Sequence, residues 1–185
     1  MGIFASIMRS WHENGQLKME GTYKDGKRDG LMRSWHENGR LRYEYTYKDG
    51  KSDGLSRMWD ENGQLWGEST YKNGQLKSES TFKKNGVDEQ VRTWYENGQL
   101  KEEATFRDGE REGRSRWWHE NGQMEAEGTF RDGKREGLGR TWYANGQLEA
   151  EVTFKGDKFD GLMREWSESG RLRYESTYKD GLKEV

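Results

Sequence analysis

The 185-residue sequence predicts an all-β repeat array, consecutive antiparallel hairpins forming one elongated, twisted or curled sheet. Three observations carry this. Tryptophans at 11, 35, 59, 94, 118, 142 and 166 recur every 24 residues, except for one gap of 35. Short runs rich in Thr and aromatics alternate with Asn-Gly and Asp-Gly dipeptides, the punctuation of β-hairpins, and glycine recurs too often for a helix. Only 29% of residues are apolar and 36% are charged, too few apolar groups for a large closed core.

Two strand phrases alternate along the chain. The first, such as GLMRSW over 30–35, ends on the tryptophan and carries Arg two positions before it, at Arg9, Arg33, Arg57, Arg92, Arg116, Arg140 and Arg164. The second, such as GQLKMEGTY over 15–23, carries Glu at the third, Thr at the fifth and an aromatic at the sixth position after Leu or Met. Those aromatics are Tyr23, Tyr47, Tyr71, Phe82, Phe106, Phe130, Phe154 and Tyr178. The connector HENG suits a three-residue loop of type I geometry closed by a left-handed glycine. The connector KDGKRDG is wider, with two glycines. The two connectors fall alternately at the two ends of the strands.

Register follows from the loop. If Glu37, Asn38 and Gly39 form it, His36 pairs with Arg40 and Trp35 lies opposite Leu41. Ile7, Trp11, Leu17, Tyr23, Leu31, Trp35, Leu41 and Tyr47 then make one apolar stripe, while Lys18, Glu20 and Thr22 look the other way. If Asn38-Gly39 alone made a type I′ turn, Trp35 would pair with Arg42 and Arg33 with Glu44, splitting the apolar residues between faces. Period-two patterning favours the one-sided register.

That register places the Arg row, including Arg33, Arg57, Arg92, Arg116, Arg140 and Arg164, among the rings and beside small residues such as Gly21, Ser69, Ala104 and Gly128. Each guanidinium would stack across Trp and Tyr for about 0.5 to 2 kcal/mol. The other reading of the row is a line of positive charge awaiting an acidic partner surface.

One interruption stands out. In TYKNGQLKSESTFKKNG, over 70–86, the Asn-Gly-Gln-Leu phrase returns after 11 residues behind a tyrosine instead of a tryptophan. A two-residue Asn73-Gly74 turn with Lys72 opposite Gln75 puts Tyr71 opposite Leu76. Residues 65–71 and 75–82 are then two strands of the second kind paired directly, which sets Glu68 opposite Glu79. The whole chain, 1–185, reads as one array: a sub-array over 7–71, an inserted extra strand over 72–82 and a second sub-array over 83–185. An odd strand reverses the sense of everything after it, so the ENG turns are expected along opposite edges before and after the insertion.

Other function classes fare poorly. With 32 basic against 34 acidic residues there is no basic field for nucleic acid or an anionic membrane. No run is long and apolar enough for a membrane-spanning helix or a secretory leader. The opening MGIFAS matches a short acylation signal at Gly2. The absence of cysteine removes disulfides and thiolate metal sites and fits a reducing, cytoplasmic setting. His12, His36 and His119 share one turn slot that holds Asp60, Tyr95 and Ser167 in other copies, which points to a turn role and not to a base or ligand. The acidic loops interpose Lys or Arg and lack the dense oxygen ligands of a calcium loop, so neither metal nor cofactor is expected.

Residues such as TYKDGKRDGLMRSWHENG and their copies resemble the MORN repeat family, in the bacterial variant found in YwqK-type antitoxin-like proteins, over essentially the whole chain. The resemblance implies a hairpin array and a non-enzymatic role in binding or scaffolding: an antitoxin or immunity-like protein that binds another protein, such as a toxin, or alternatively a self-associating scaffold or a membrane-associated protein. Positions that break the repeat are the candidate partner contacts. Tyr43, Tyr45 and Tyr174 replace small residues on the expected aromatic face, and Trp66 and Trp117 place rings on the expected polar one. Single exposed aromatics are otherwise ordinary surface features.

Overall fold

The computed structural model describes residues 5–82 and 88–184, and every regular element among them is a β-strand. The chain divides into two compact units, Met1–Gly86 and Val87–Val185. In the first, β1 (Ala5–Trp11), β2 (Leu17–Lys24), β3 (Lys27–Trp35), β4 (Leu41–Lys48), β5 (Lys51–Trp59), β6 (Leu65–Lys72) and β7 (Gln75–Phe82) pair antiparallel in chain order. In the second, β8 (Asp88–Trp94) pairs with β9 (Leu100–Arg107), which is followed by the short β10 (Glu110–Arg111) and by β11 (Gly113–Trp118). The order continues through β12 (Met124–Arg131), β13 (Lys134–Trp142), β14 (Leu148–Lys155), β15 (Lys158–Trp166), β16 (Leu172–Lys179) and β17 (Leu182–Lys183). The all-β array of antiparallel hairpins expected from the sequence is what forms.

Both turn types obey their residues. His36 N donates to Arg40 O at 2.9 Å and Gly39 N to His36 O at 2.9 Å, with Gly39 at φ 80°, the three-residue loop expected of HENG. At the other strand ends two residues suffice: Asp25 and Gly26 have φ of 49° and 77°, the left-handed pair of a type I′ turn. The second glycine of KDGKRDG lies inside the next strand. There Asp29, Gly30 and Leu31 together face the single Thr22, whose hydroxyl donates to Asp29 O.

The register differs from both sequence alternatives by combining them. Trp35 pairs with Leu41, as the three-residue loop requires, yet Ser34 pairs with Tyr43 and Arg33 with Glu44. Arg42 is the extra residue of a β-bulge. Equivalent bulges fall at Lys18, Trp66, Lys101, Glu125, Glu149 and Arg173. Each shifts the pairing by one, and because side chains alternate between faces, that step redistributes the expected stripe. Ile7, Trp11, Leu17, Leu31, Trp35 and Leu41 stay together, now with Glu20, Glu44 and Thr22. Tyr23 and Tyr47 pass to the opposite face, the ring face, with Tyr43 and Tyr45.

The Arg row is therefore not set beside small residues, as expected, but against Glu. Arg33 Nε bonds Glu44 Oε2 at 2.8 Å, Arg57 Nε bonds Glu68 Oε2 at 2.8 Å, and Arg140 Nε bonds Glu151 Oε2 at 2.9 Å. Arg92 and Arg164 hold Glu103 and Glu175 in the same way. Glutamates also face the arginine of the strand on their other side, as Glu103 does Arg116 at 3.2 Å and Glu127 does Arg140 at 3.5 Å. The outcome is a row alternating in charge from strand to strand. With Arg33 43% and Glu44 23% exposed, each bond contributes less than about 1 kcal/mol. Ring stacking survives at Arg116, 6.0 Å from the Trp118 centroid.

The inserted strand keeps its expected turn. Tyr71 pairs with Leu76 and Lys72 with Gln75, across Asn73 at φ 51° and Gly74 at φ 86°. The expected opposition of Glu68 and Glu79 does not occur. Lys77 bulges, so Glu68 pairs with Ser80 and Glu79 with Ser69, and the two carboxylates fall on opposite faces. Residues 83–87 lie outside the described residues, as does Gly2, and with them the expected reversal of turn edges.

Within each unit, two columns of stacked turns tie successive repeats together. In one, His12 Nε2 donates to Trp35 O at 2.9 Å, His36 Nε2 to Trp59 O at 3.0 Å and His119 Nε2 to Trp142 O at 2.8 Å. A carbonyl only accepts, so each ring carries its proton on Nε2. Tyr95 and Tyr143 make the same bond through their hydroxyls, to Trp118 O and Trp166 O. Asn14, Asn38, Asn97, Asn121 and Asn145 donate to the next loop alongside. Asp60, with no proton to give, instead accepts from Asn62 N and Gln64 N of its own loop. In the other column, Asp53 Oδ2 accepts from Asn73 N at 3.1 Å and Asp160 Oδ2 from Asp180 N at 3.3 Å.

Substitutions in the turns should separate these contributions. A Cβ at Gly74 would come no closer than 3.7 Å to Lys51, so the loss in Gly74→Val comes from the left-handed backbone: about 1 to 2 kcal/mol in urea unfolding. His36→Ala removes one inter-turn bond and lowers stability by about 1 kcal/mol, whereas His36→Tyr retains the donor and stays near wild type. The Asn73 amide holds the Asp53 carboxyl below its ordinary value, and the Lys179 ammonium and Asp180 amide do so for Asp160. A depressed carboxyl stabilises the fold above its unfolded pKa and ceases to as pH falls through the folded one. Urea midpoints should thus hold steady from neutral pH down to the ordinary carboxylate range and fall below it, less steeply in Asp53→Asn.

Candidate protein-interaction surface

The ring face of each unit is the candidate site, because it gathers rings and grooves over a floor of small side chains. Met32 and Ala104 are the buried apolar side chains among the described residues, and the buried polar ones are Ser56, Ser69, Ser115 and Ser167. Rings lie half-covered over this thin floor.

In the first unit, Tyr43, Tyr45 and Tyr47 follow one another on the same face of β4, with centroids 5.7 and 6.4 Å apart. Arg42 and Arg28 cap the run, 4.9 Å from Tyr43 and 5.3 Å from Tyr47. With Met19, Met32 and Ser34 the tyrosines line a groove of about 210 Å³. Burial, and next the neighbouring Tyr43, push the Tyr45 phenol above its ordinary pKa. Methionines fill the glycine positions of this unit: a Cβ on Gly21 would come within 2.8 Å of Met32 Cε, and one on Gly67 within 2.8 Å of Met58 Cε.

In the second unit, Arg111 lies across three rings, its Cζ 5.0 Å from the Phe106 centroid, 5.1 Å from Trp117 and 5.8 Å from Phe130. It also donates to Ser115 Oγ at 3.2 Å and to the Glu102 carboxylate. Further along, the Phe159 ring is 5.4 Å from both Phe154 and Tyr178. Between these two places runs a groove of about 250 Å³ bordered by Trp117, Ala126, Phe130, Arg135, Val152 and Phe154. Trp117 and Phe130 meet edge-on at 6.3 Å.

Of the residues singled out from sequence, Tyr43, Tyr45, Trp117 and Tyr174 each occupy the ring face of their own unit. For Trp117 this corrects the expected polar face; the bulge reassigns it, since Arg116 beside it in β11 faces Glu103 and Glu127. Trp66 is a bulge residue, 41% exposed. Tyr43 and Tyr45 belong to one unit and Trp117 and Tyr174 to the other. Tyr174 and Tyr178 share a hydroxyl hydrogen bond of 2.9 Å, with Lys183 Nζ 5.3 Å from the Tyr174 ring. Sequence reasoning passes over Arg111, Phe159, Gly139 and Asp157. One signal is there to be read: Gly156-Asp157 reverses the Asp-Gly or Asn-Gly order of the other two-residue turns.

The MORN repeat variant profile matches residues 7–25, 28–49, 52–73, 71–84, 90–108, 111–132 and 159–180, and the MORN repeat profile matches 20–31 and 127–148. The chain belongs to the MORN repeat variant family. No curated protein matches it. MORN repeats are commonly protein- or membrane-binding units, and MORN repeat proteins are generally non-enzymatic. The matched segment 71–84 takes in β7, so the inserted strand is itself part of a MORN repeat variant. The histidines of the MORN turns serve as inter-turn donors, and the acidic groups that resemble a calcium loop serve as acceptors for the amides of the next turn.

Proposed function

We propose that this MORN array is a non-enzymatic binding protein, of the antitoxin or immunity kind, that engages another protein through its ring face in a cytoplasmic setting. The observation that carries it is the ring face itself: aromatic side chains over a floor of Ser, Gly and Ala, bordered by grooves, whereas the other face sets its Trp and Leu side chains beside the row of alternating Arg and Glu. Tyr, Trp and Arg are the residues that anchor protein interfaces. A second reading, self-association, draws on β1, where Ile7, Met8 and Trp11 are 58%, 56% and 57% exposed.

Capture from the native host separates the two. The double change Tyr43→Ser and Tyr45→Ser should abolish recovery of a specific partner, while Arg33→Gln should preserve it, and co-expression should relieve any growth defect that partner causes. Light scattering across a hundredfold dilution should return the mass of one chain. A mass that climbs with concentration, together with capture unaffected by the tyrosine changes, would favour the scaffold.

A further inference from the structure

The ring face of the second unit is divided into bays by Phe106, Phe130, Phe154 and Tyr178, one aromatic per repeat. Two bays are filled by the chain itself. Arg111 fills the first, between Phe106 and Phe130, and Phe159 the last, between Phe154 and Tyr178. Arg135 holds the same repeat position for the middle bay, yet the groove of about 250 Å³ between Phe130 and Phe154 stays open.

Two sequence departures open it. The first is its floor. Gly128 and Gly139 lie side by side, one step beyond the paired Glu127 and Arg140. Gly139 stands where other repeats have Met8, Met32, Ser56, Val91, Ser115 or Met163. A Cβ on Gly128 would lie 3.7 Å from Phe130 Cε2 and one on Gly139 3.1 Å from Phe154 Cε2, so the edges of the two bay rings rest against this floor and no side chain rises from it between them. The second is the reversed Gly156-Asp157 turn. It places a carboxylate where the other two-residue turns have glycine, and Asp157 Oδ1 accepts from both Arg135 N and Arg135 Nε at 3.0 Å. Arg135 is thereby pinned flat against one wall of the bay, with its Cζ 4.3 Å from the Phe154 centroid.

We propose that this middle bay receives one uncharged aromatic side chain presented by the partner protein, a proposal that rests on the protein-binding reading above. The filled bays define the chemistry. Arg111 is held by Glu102 and Ser115; the middle bay has Ala126 and Gly139 at those positions, and Arg135 and Arg140 already border it. A second guanidinium would compete for carboxylates already engaged, since Glu127 is taken by Arg114 and Arg140 and Glu136 accepts from the Gly156 amide at 3.0 Å. A ring fits as Phe159 does next door. The volume also suffices, because an apolar cavity of about 150 Å³ already holds benzene.

The test titrates N-acetyl-tryptophanamide, and separately N-acetyl-argininamide, into the full-length ¹⁵N-labelled chain. The ring probe should saturably shift the Gly128, Gly137 and Gly139 amides, and the arginine probe should leave them in place. Gly139→Met puts a side chain on the floor, where its Cβ would stand 3.1 Å from Phe154 Cε2, and so crowds the bay from below. Asp157→Gly frees Arg135 from the Phe154 wall to swing across the bay, as Arg111 lies across the rings of its own. Each should weaken the ring probe about tenfold, the order expected from lost ring contacts. Because the variants close the bay from different elements, a folding defect in one leaves the other decisive. Equal binding of the arginine probe, shifts spread over all bays, or unchanged affinity in both variants would overturn the proposal. So would a chain that dimerises and is dispersed by the ring probe, since the occupant would then be a second copy. If a captured partner is retained by Gly139→Met, the bay fails and the binding function stands; if the ring probe binds the bay but no protein is captured, the binding function fails first.

Discussion

The single extra residue after each ENG loop governs the rest of the molecule. The loop fixes Trp35 opposite Leu41, and in an unbroken pleat Arg33 would then face Tyr43 instead of Glu44. With Arg42 looped out, both constraints are met: the Trp–Leu contact dictated by the turn and the ion pair dictated by charge. Everything on the ring face is a consequence. Tyr43, Tyr45 and Tyr47 gather there only because the bulge sends Glu44 to the side of Arg33.

What the sequence made legible is what local chemistry determines. Asn-Gly and Asp-Gly can take left-handed φ at low cost, so Gly39, Gly26 and Gly74 announce their turns, and the Trp35–Leu41 and Tyr71–Leu76 pairs follow. The bulges are illegible because period-two patterning assumes an uninterrupted pleat. One extra residue such as Arg42 or Lys77 has no signature of its own, being a polar residue among polar residues. The faces are misassigned for that reason, and with them Trp117. The histidine slot is legible as a turn position, but its hydrogen bond reaches 23 residues ahead, which only the stacking of loops reveals. Once seen, it explains the slot: His36 and Tyr95 can both donate, and Asp60 cannot.

The candidate surface is half legible for the same kind of reason. Tyr43, Tyr45 and Tyr174 stand out as large residues at positions that are small elsewhere. The open groove of the second unit depends on the opposite departure, side chains that are missing. Gly128 and Gly139 look ordinary singly, and their effect arises because adjacent strands bring them together between Phe130 and Phe154. Asp157 acts through Arg135, across a distance that no sequence window spans.

The alternation of Arg and Glu also constrains how such a chain can lengthen. A unit of two strands, one bearing each sign, can be copied any number of times and the row stays neutral and matched. A single strand cannot: beside its own kind it brings carboxylate to carboxylate, and β7 meets Glu68 with Ser80 only through a compensating bulge at Lys77. The row thus works as a parity rule on duplication, tolerating even additions silently and exposing odd ones as a local scar in the pleat.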